Sequence, residues 1–93
     1  LGTLTVASAA GTAVGDTKIT ITEPKGVGNS YKYKVGDSAA EVTYKQSVRN
    51  WTAWDGASDI TAETGKTITV VECDAEYLAL KAGSQTVTSK DSE

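Results

Sequence analysis

Asp16-Thr17-Lys18-Ile19-Thr20-Ile21-Thr22-Glu23 is the stretch on which the fold turns. Ile19 and Ile21 point one way and Lys18, Thr20 and Thr22 the other, which is the two-residue period of a half-buried strand. The segment is rich in β-branched side chains, which suit a pleated surface and lose rotamer freedom in a helix. Pro24-Lys25-Gly26-Val27-Gly28-Asn29 then ends it, because proline cannot donate to a ladder and glycine accepts positive φ.

The same alternation extends in both directions. Toward the N-terminus, Leu4 and Val6 share one face of a strand over Thr3–Ala7, and Ala10–Asp16 is a small-residue turn region. Toward the C-terminus, Tyr31, Tyr33 and Val35 oppose Lys32 and Lys34, and Gly36-Asp37 closes that strand. Val42–Lys45 reads as a short edge strand with Val42 and Tyr44 on one face. Gln46–Ser58 carries Val48, Trp51, Trp54 and the Asp55-Gly56 turn signal, and Asp59-Ile60-Thr61 is a brief strand. Thr67–Asp74 is a long strand, Asp74-Ala75-Glu76 turns the chain, and Tyr77–Lys81 returns. Gly83 is expected to break that run and Gln85–Thr88 to form the last strand. About seven short strands with a turn signal every eight to twelve residues predict an all-β sandwich, one domain over residues 1–93. The opening Leu1-Gly2-Thr3, already strand-like, and the polar tail Ser89-Lys90-Asp91-Ser92-Glu93 read as boundaries of a domain excised from a larger protein.

Composition narrows the chemistry. Threonine occurs fourteen times and valine plus isoleucine thirteen, while methionine, phenylalanine and histidine are absent. Without histidine, neither a Ser-His-Asp nor a Cys-His arrangement can be assembled. The net charge of −3 argues against nucleic acid, which needs a clustered basic face, and against an anionic membrane surface. No apolar run is long enough to cross a bilayer as a helix. Cys73 is the only cysteine, so no disulfide can form within the chain.

Each remaining candidate site competes with a plain structural role. Asp55 with Asp59, and Glu72 with Asp74, are the carboxylate pairs that could serve as acid and base. Turn aspartates ordinarily bond their own backbone, and a strand glutamate is expected to be solvated, so no catalytic residue is assigned. Asp55-Gly56-Ala57-Ser58-Asp59 offers oxygens of the kind Ca²⁺ takes, but fewer than a dedicated loop supplies. No metal and no cofactor is expected. Cys73, flanked by Glu72 and Asp74, reads as a small buried apolar residue. Lys18 and Lys34 are conceivable donors to an isopeptide crosslink, but their parity turns them away from the apolar interior that such a reaction needs. Trp51 and Trp54, three apart in an extended segment, face opposite sides. One belongs to the core, and the other is the candidate binding residue, since an exposed ring stacks on sugars or anchors a protein contact.

Ile60-Thr61-Ala62-Glu63-Thr64-Gly65-Lys66-Thr67-Ile68-Thr69-Val70-Val71 resembles the corner and long strand of fibronectin-III and related immunoglobulin-like domains. The corner tyrosine of that family is missing, its place taken by Thr67 or Ile68. Three further pieces carry a second resemblance: Gly15–Thr20, Gly28–Lys34, and Trp51-Thr52-Ala53-Trp54-Asp55-Gly56 leading to Thr64–Glu72. Together they are similar to immunoglobulin-like accessory domains of virion structural proteins, head or capsid, from phages of Gram-positive bacteria. That resemblance implies a non-enzymatic decoration domain at a virion surface or otherwise extracellular, aiding surface adhesion, with its parent protein as partner in cis. The alternatives are a carbohydrate- or cell-wall-binding module that meets a cell-surface glycan through Trp51 or Trp54, and a spacer domain of a bacterial surface protein.

Overall fold

A computed structural model describes residues 1–91 of the chain; Ser92 and Glu93 of the polar tail lie outside the described residues. The strands are β1 (Gly2–Thr3), β2 (Val6–Ala10), β3 (Asp16–Ile21), β4 (Ser30–Gly36), β5 (Thr52–Trp54), β6 (Ile60–Thr61), β7 (Thr67–Cys73) and β8 (Ala79–Thr86). No helix occurs among the described residues. One sheet has the order β1-β8-β7-β4-β5 and the other β2-β3-β6. They form an immunoglobulin-like sandwich, with eight strands among the described residues where about seven were expected.

The deciding stretch is β3. It pairs antiparallel with β2 from Val6↔Ile21 to Ala10↔Thr17, and with β6 through Thr17↔Ile60. Leu4, Val6, Ile19, Ile60, Ile68, Val70 and Val87 are buried between the sheets with Tyr31 and Trp54, and Ile21, Tyr33 and Val35 pack on their rim. The first expected strand is in fact two. β1 joins the five-stranded sheet and β2 the three-stranded one, so the chain changes sheets between Thr3 and Val6 while Leu4 and Val6 keep their inward parity.

Gly83 does not break β8, which runs without interruption from Ala79 to Thr86. What a side chain at Gly83 would meet is the Leu4 backbone carbonyl, which a Cβ would overlap, and the Val6 Cγ2 at 3.0 Å. Glycine lets the crossing from β1 to β2 lie directly on β8.

Val42–Lys45 forms no strand. Residues 37–51 are a loop laid over the outer face of the five-stranded sheet, with Lys45 at a φ of 67°. The loop is tied down by Val48 N to Tyr77 O (2.8 Å), Ala79 N to Gln46 O (2.8 Å) and Lys45 N to Ala79 O (2.7 Å). It encloses a second apolar cluster of Val48, Val71, Cys73 and Ala79, with Val42, Trp51, Tyr77 and Ala82 against it. Tyr44, expected to share a face with Val42, is exposed. β7 is therefore covered on both faces: Ile68 and Val70 enter the sandwich core, Val71 and Cys73 the outer one.

Candidate functional site

The two tryptophans sit at opposite faces, as their spacing demands, and in different cores. Trp54 closes one end of the sandwich. It is 8% exposed, its ring lies 5.4 Å from that of Tyr31, and its indole N–H donates to the Ser58 carbonyl at 2.8 Å. Trp51 is half-buried against the outer cluster, with the Lys34 ammonium 5.8 Å from its ring centre. Of the pair, Trp51 is the more exposed, and neither ring stands free as a platform.

Trp54 also lines an open depression with Tyr33, Asp55, Ser58, Asp59 and Ile60. The turn beneath it is built by Asp55. One carboxylate oxygen accepts the amides of Ala57 (2.8 Å) and Ser58 (2.7 Å), and the other accepts the Ser58 hydroxyl at 2.5 Å. Gly56 supplies the φ of 85° that the turn requires. Those donors hold the Asp55 carboxyl down at about 2, so it stays ionised and has no proton to give near neutrality. Asp59 is engaged as well, accepting the Thr12 amide at 2.7 Å. Both carboxylates therefore serve the backbone. No group of three or more His, Cys, Asp or Glu side chains that could hold a metal exists among the described residues.

The other carboxylate pair departs from expectation. Asp74 organises its turn, accepting the amides of Glu76 (2.9 Å) and Leu78 (3.1 Å). Glu72, expected in solvent, is only 2% exposed. Its Oε2 accepts from the Gly26 amide (3.0 Å) and the Asn29 side-chain amide (2.7 Å), and its Oε1 has no partner. It anchors the β3–β4 loop to β7 and is a structural carboxylate. Burial and the nearby Glu72 and Glu23 carboxylates raise the Tyr31 phenol above its ordinary range.

Cys73 is fully buried, its thiol donating to the Ser30 carbonyl at 3.3 Å. Lys32, on the strand face opposite Tyr31 and Tyr33, is nearly covered. Its ammonium lies 4.7 Å from the Tyr77 ring centre, and Arg49 is 5.5 Å from the same ring. Sequence reasoning missed this outer face. The signal was present in Ile68–Cys73, where neither parity is consistently polar.

The family model described as the S-layer protein SbsC C-terminal domain matches residues 9–90. The chain belongs to that family. Among solved structures, the crystal structure of the S-layer protein SbsC, domains 7, 8 and 9, matches this SbsC-type domain with a TM-score of 0.72 and 28% sequence identity. The match covers 97% of this chain and 30% of the solved one, so the chain spans less than a third of that structure. No curated protein matches. A surface-layer family sides with the spacer alternative of the sequence reading, and nothing in these matches carries the phage, virion or capsid expectation.

Proposed function

We propose that this chain is a non-enzymatic spacer domain of an extracellular surface-layer protein, acting in cis with the rest of its parent. The carrying observation is the match of residues 9–90 to the SbsC C-terminal domain family, joined to structural similarity over 97% of the chain. Polar groups that could do chemistry are instead committed to holding turns, as Asp55, Asp59 and Asp74 are. An antibody raised against residues 1–93 should stain intact, unpermeabilised cells that make the parent protein, and in-frame deletion of the domain should leave the parent attached to the cell. Staining only after lysis would sink the proposal.

A second reading, glycan binding, is favoured by the open depression in which Tyr33 and Trp54 meet Asp55 and Asp59. It calls for a pull-down on purified cell walls with wild type, Tyr33→Ala and, outside the depression, Trp51→Ala. Strong binding lost in Tyr33→Ala and kept in Trp51→Ala, with the circular dichroism unchanged, would move the assignment to a wall-binding module.

A further inference from the structure

The first and last strands of this domain are parallel neighbours. β1 pairs with β8 through Gly2↔Lys81 and Thr3↔Ala82, and the Leu4 amide donates to the Ala82 carbonyl at 2.9 Å. From Lys81 β8 runs to Thr86, and the chain then passes Ser8 to reach the bridge at Lys90. At about 3.3 Å per residue nine extended steps would cover roughly 30 Å, against a longest molecular dimension of 39 Å. The two ends of the domain thus leave from opposite poles, each in the direction of its own strand.

We propose that the domain is a tension-bearing link, clamped so that force applied through its two ends loads backbone pairs in shear. Pulling Leu1 one way and the C-terminal segment the other slides β1 along β8, and the rungs between them are strained together. An antiparallel pair pulled at its open end is instead peeled one rung at a time. Sliding also carries an apolar penalty. Leu4 and Val6 follow directly on β1 and are buried in the sandwich core, so displacement of β1 drags both toward water. The close seat of the Leu4 carbonyl on Gly83 leaves little slack for creep.

A second clamp holds the other pole. Lys90 pairs with Val14 in a parallel bridge, with Gly15 N to Lys90 O at 2.9 Å and Lys90 N to Asp16 O at 3.0 Å. Between the clamps, Val87 is fully buried and exchanges bonds with the 65–66 turn, Val87 N to Lys66 O (2.7 Å) and Gly65 N to Val87 O (3.1 Å). The Thr88 amide donates to the Ser8 hydroxyl at 2.8 Å. The C-terminal segment is stitched to β2, to the start of β3 and to the turn before β7.

The source of the tension rests on the spacer reading, whereas the mechanics belong to the domain alone. The test is single-molecule force spectroscopy on residues 1–93 along two axes. Handles are attached either at the chain ends or at azide-bearing residues replacing Asp37 and Lys66. Those two flank the open end of the β4–β7 ladder beyond Gly36↔Thr67, and pulling there peels it. Forced unfolding reads the barrier along the pulled direction and not the equilibrium stability, so one protein gives two forces. End-to-end rupture should need at least twice the force of the 37–66 axis at equal loading rate. Equal forces, or a weaker end-to-end axis, would overturn the proposal. Failure of surface staining would remove the spacer reading and leave this comparison intact, so the two failures are distinguishable.

Discussion

Gly83→Ala is the substitution for which the structure and a propensity argument disagree most sharply. Glycine inside a strand ordinarily weakens it, so alanine would be expected to gain about 0.5–1 kcal/mol. Here the new methyl would overlap the Leu4 carbonyl oxygen and come within 2.9 Å of its carbonyl carbon. These are backbone atoms and cannot swing aside, so the β1–β2 crossing must lift from β8. Lifting it breaks the bond from the Leu4 amide to the Ala82 carbonyl, worth about 1 kcal/mol net. It also returns part of the Leu4 side chain to water, against about 1.5–3 kcal/mol for the whole side chain. With about half of that side chain exposed and the propensity gain subtracted, the expected loss is roughly 1–2 kcal/mol, or a fall in Tm of roughly 4–16 °C for a domain of this size. Gly36→Ala is the control, because its nearest neighbour is the Ser38 carbonyl oxygen at 3.8 Å. It should be neutral or slightly stabilising. Urea and thermal melts followed by tryptophan fluorescence would compare the two. Equal stability of Gly83→Ala and Gly36→Ala would refute the argument from close approach.

Cys73→Val should cost on the order of 1 kcal/mol or less because the volume is nearly kept, and an aromatic disulfide reagent should label native Cys73 slowly and the denatured chain quickly. Glu72→Gln can still accept from Gly26 and Asn29 and should stay within about 1 kcal/mol of wild type, whereas Glu72→Ala strands both donors and should lose about 2–3 kcal/mol by urea titration. Asp55 titrates at about 2 in the folded chain against an ordinary 3.8. The unfolded state therefore takes up the proton first, and the stabilisation is present above the ordinary value and lost as pH falls toward the folded one. Asp37, Asp74 and Glu23 are depressed too, so Asp55→Ala should flatten, without abolishing, the acid decline of the urea midpoint.

Alternation made much of the sandwich legible. Ile19, Leu4 and Val6 each show one apolar face to one core, and the inward parity read for them is the parity observed. What alternation could not give was the second cluster. Where a sheet is covered on both sides, neither parity is polar, and Thr69, Val71 and Cys73 look like continued strand without saying what lies over them. The 37–51 cover escaped for a related reason. Val42 and Tyr44 mimic a two-residue period, but the segment is shaped by a positive φ at Lys45 and by bonds to Tyr77 and Ala79 that sequence spacing does not encode. Gly83 was misread because a glycine that interrupts a strand and one that admits another backbone look alike in sequence. That one of Trp51 and Trp54 belongs to the core was legible by volume, but not that it is Trp54. The partners that fix it, Tyr31 and the Ser58 carbonyl, come from the β4–β5 register and the Asp55 turn.

β7 is hydrogen-bonded along both edges, to β4 and β8, and roofed on both faces. Its backbone amides have no local route to solvent. Deuterium should enter them only when the whole domain opens, while the short β5 and β6 at the sheet edges exchange through smaller fluctuations. The slowest amides in this strand would then serve as an internal gauge of global stability. A single exchange experiment on Thr67–Cys73 would read the folding free energy under native conditions, without denaturant and without extrapolation.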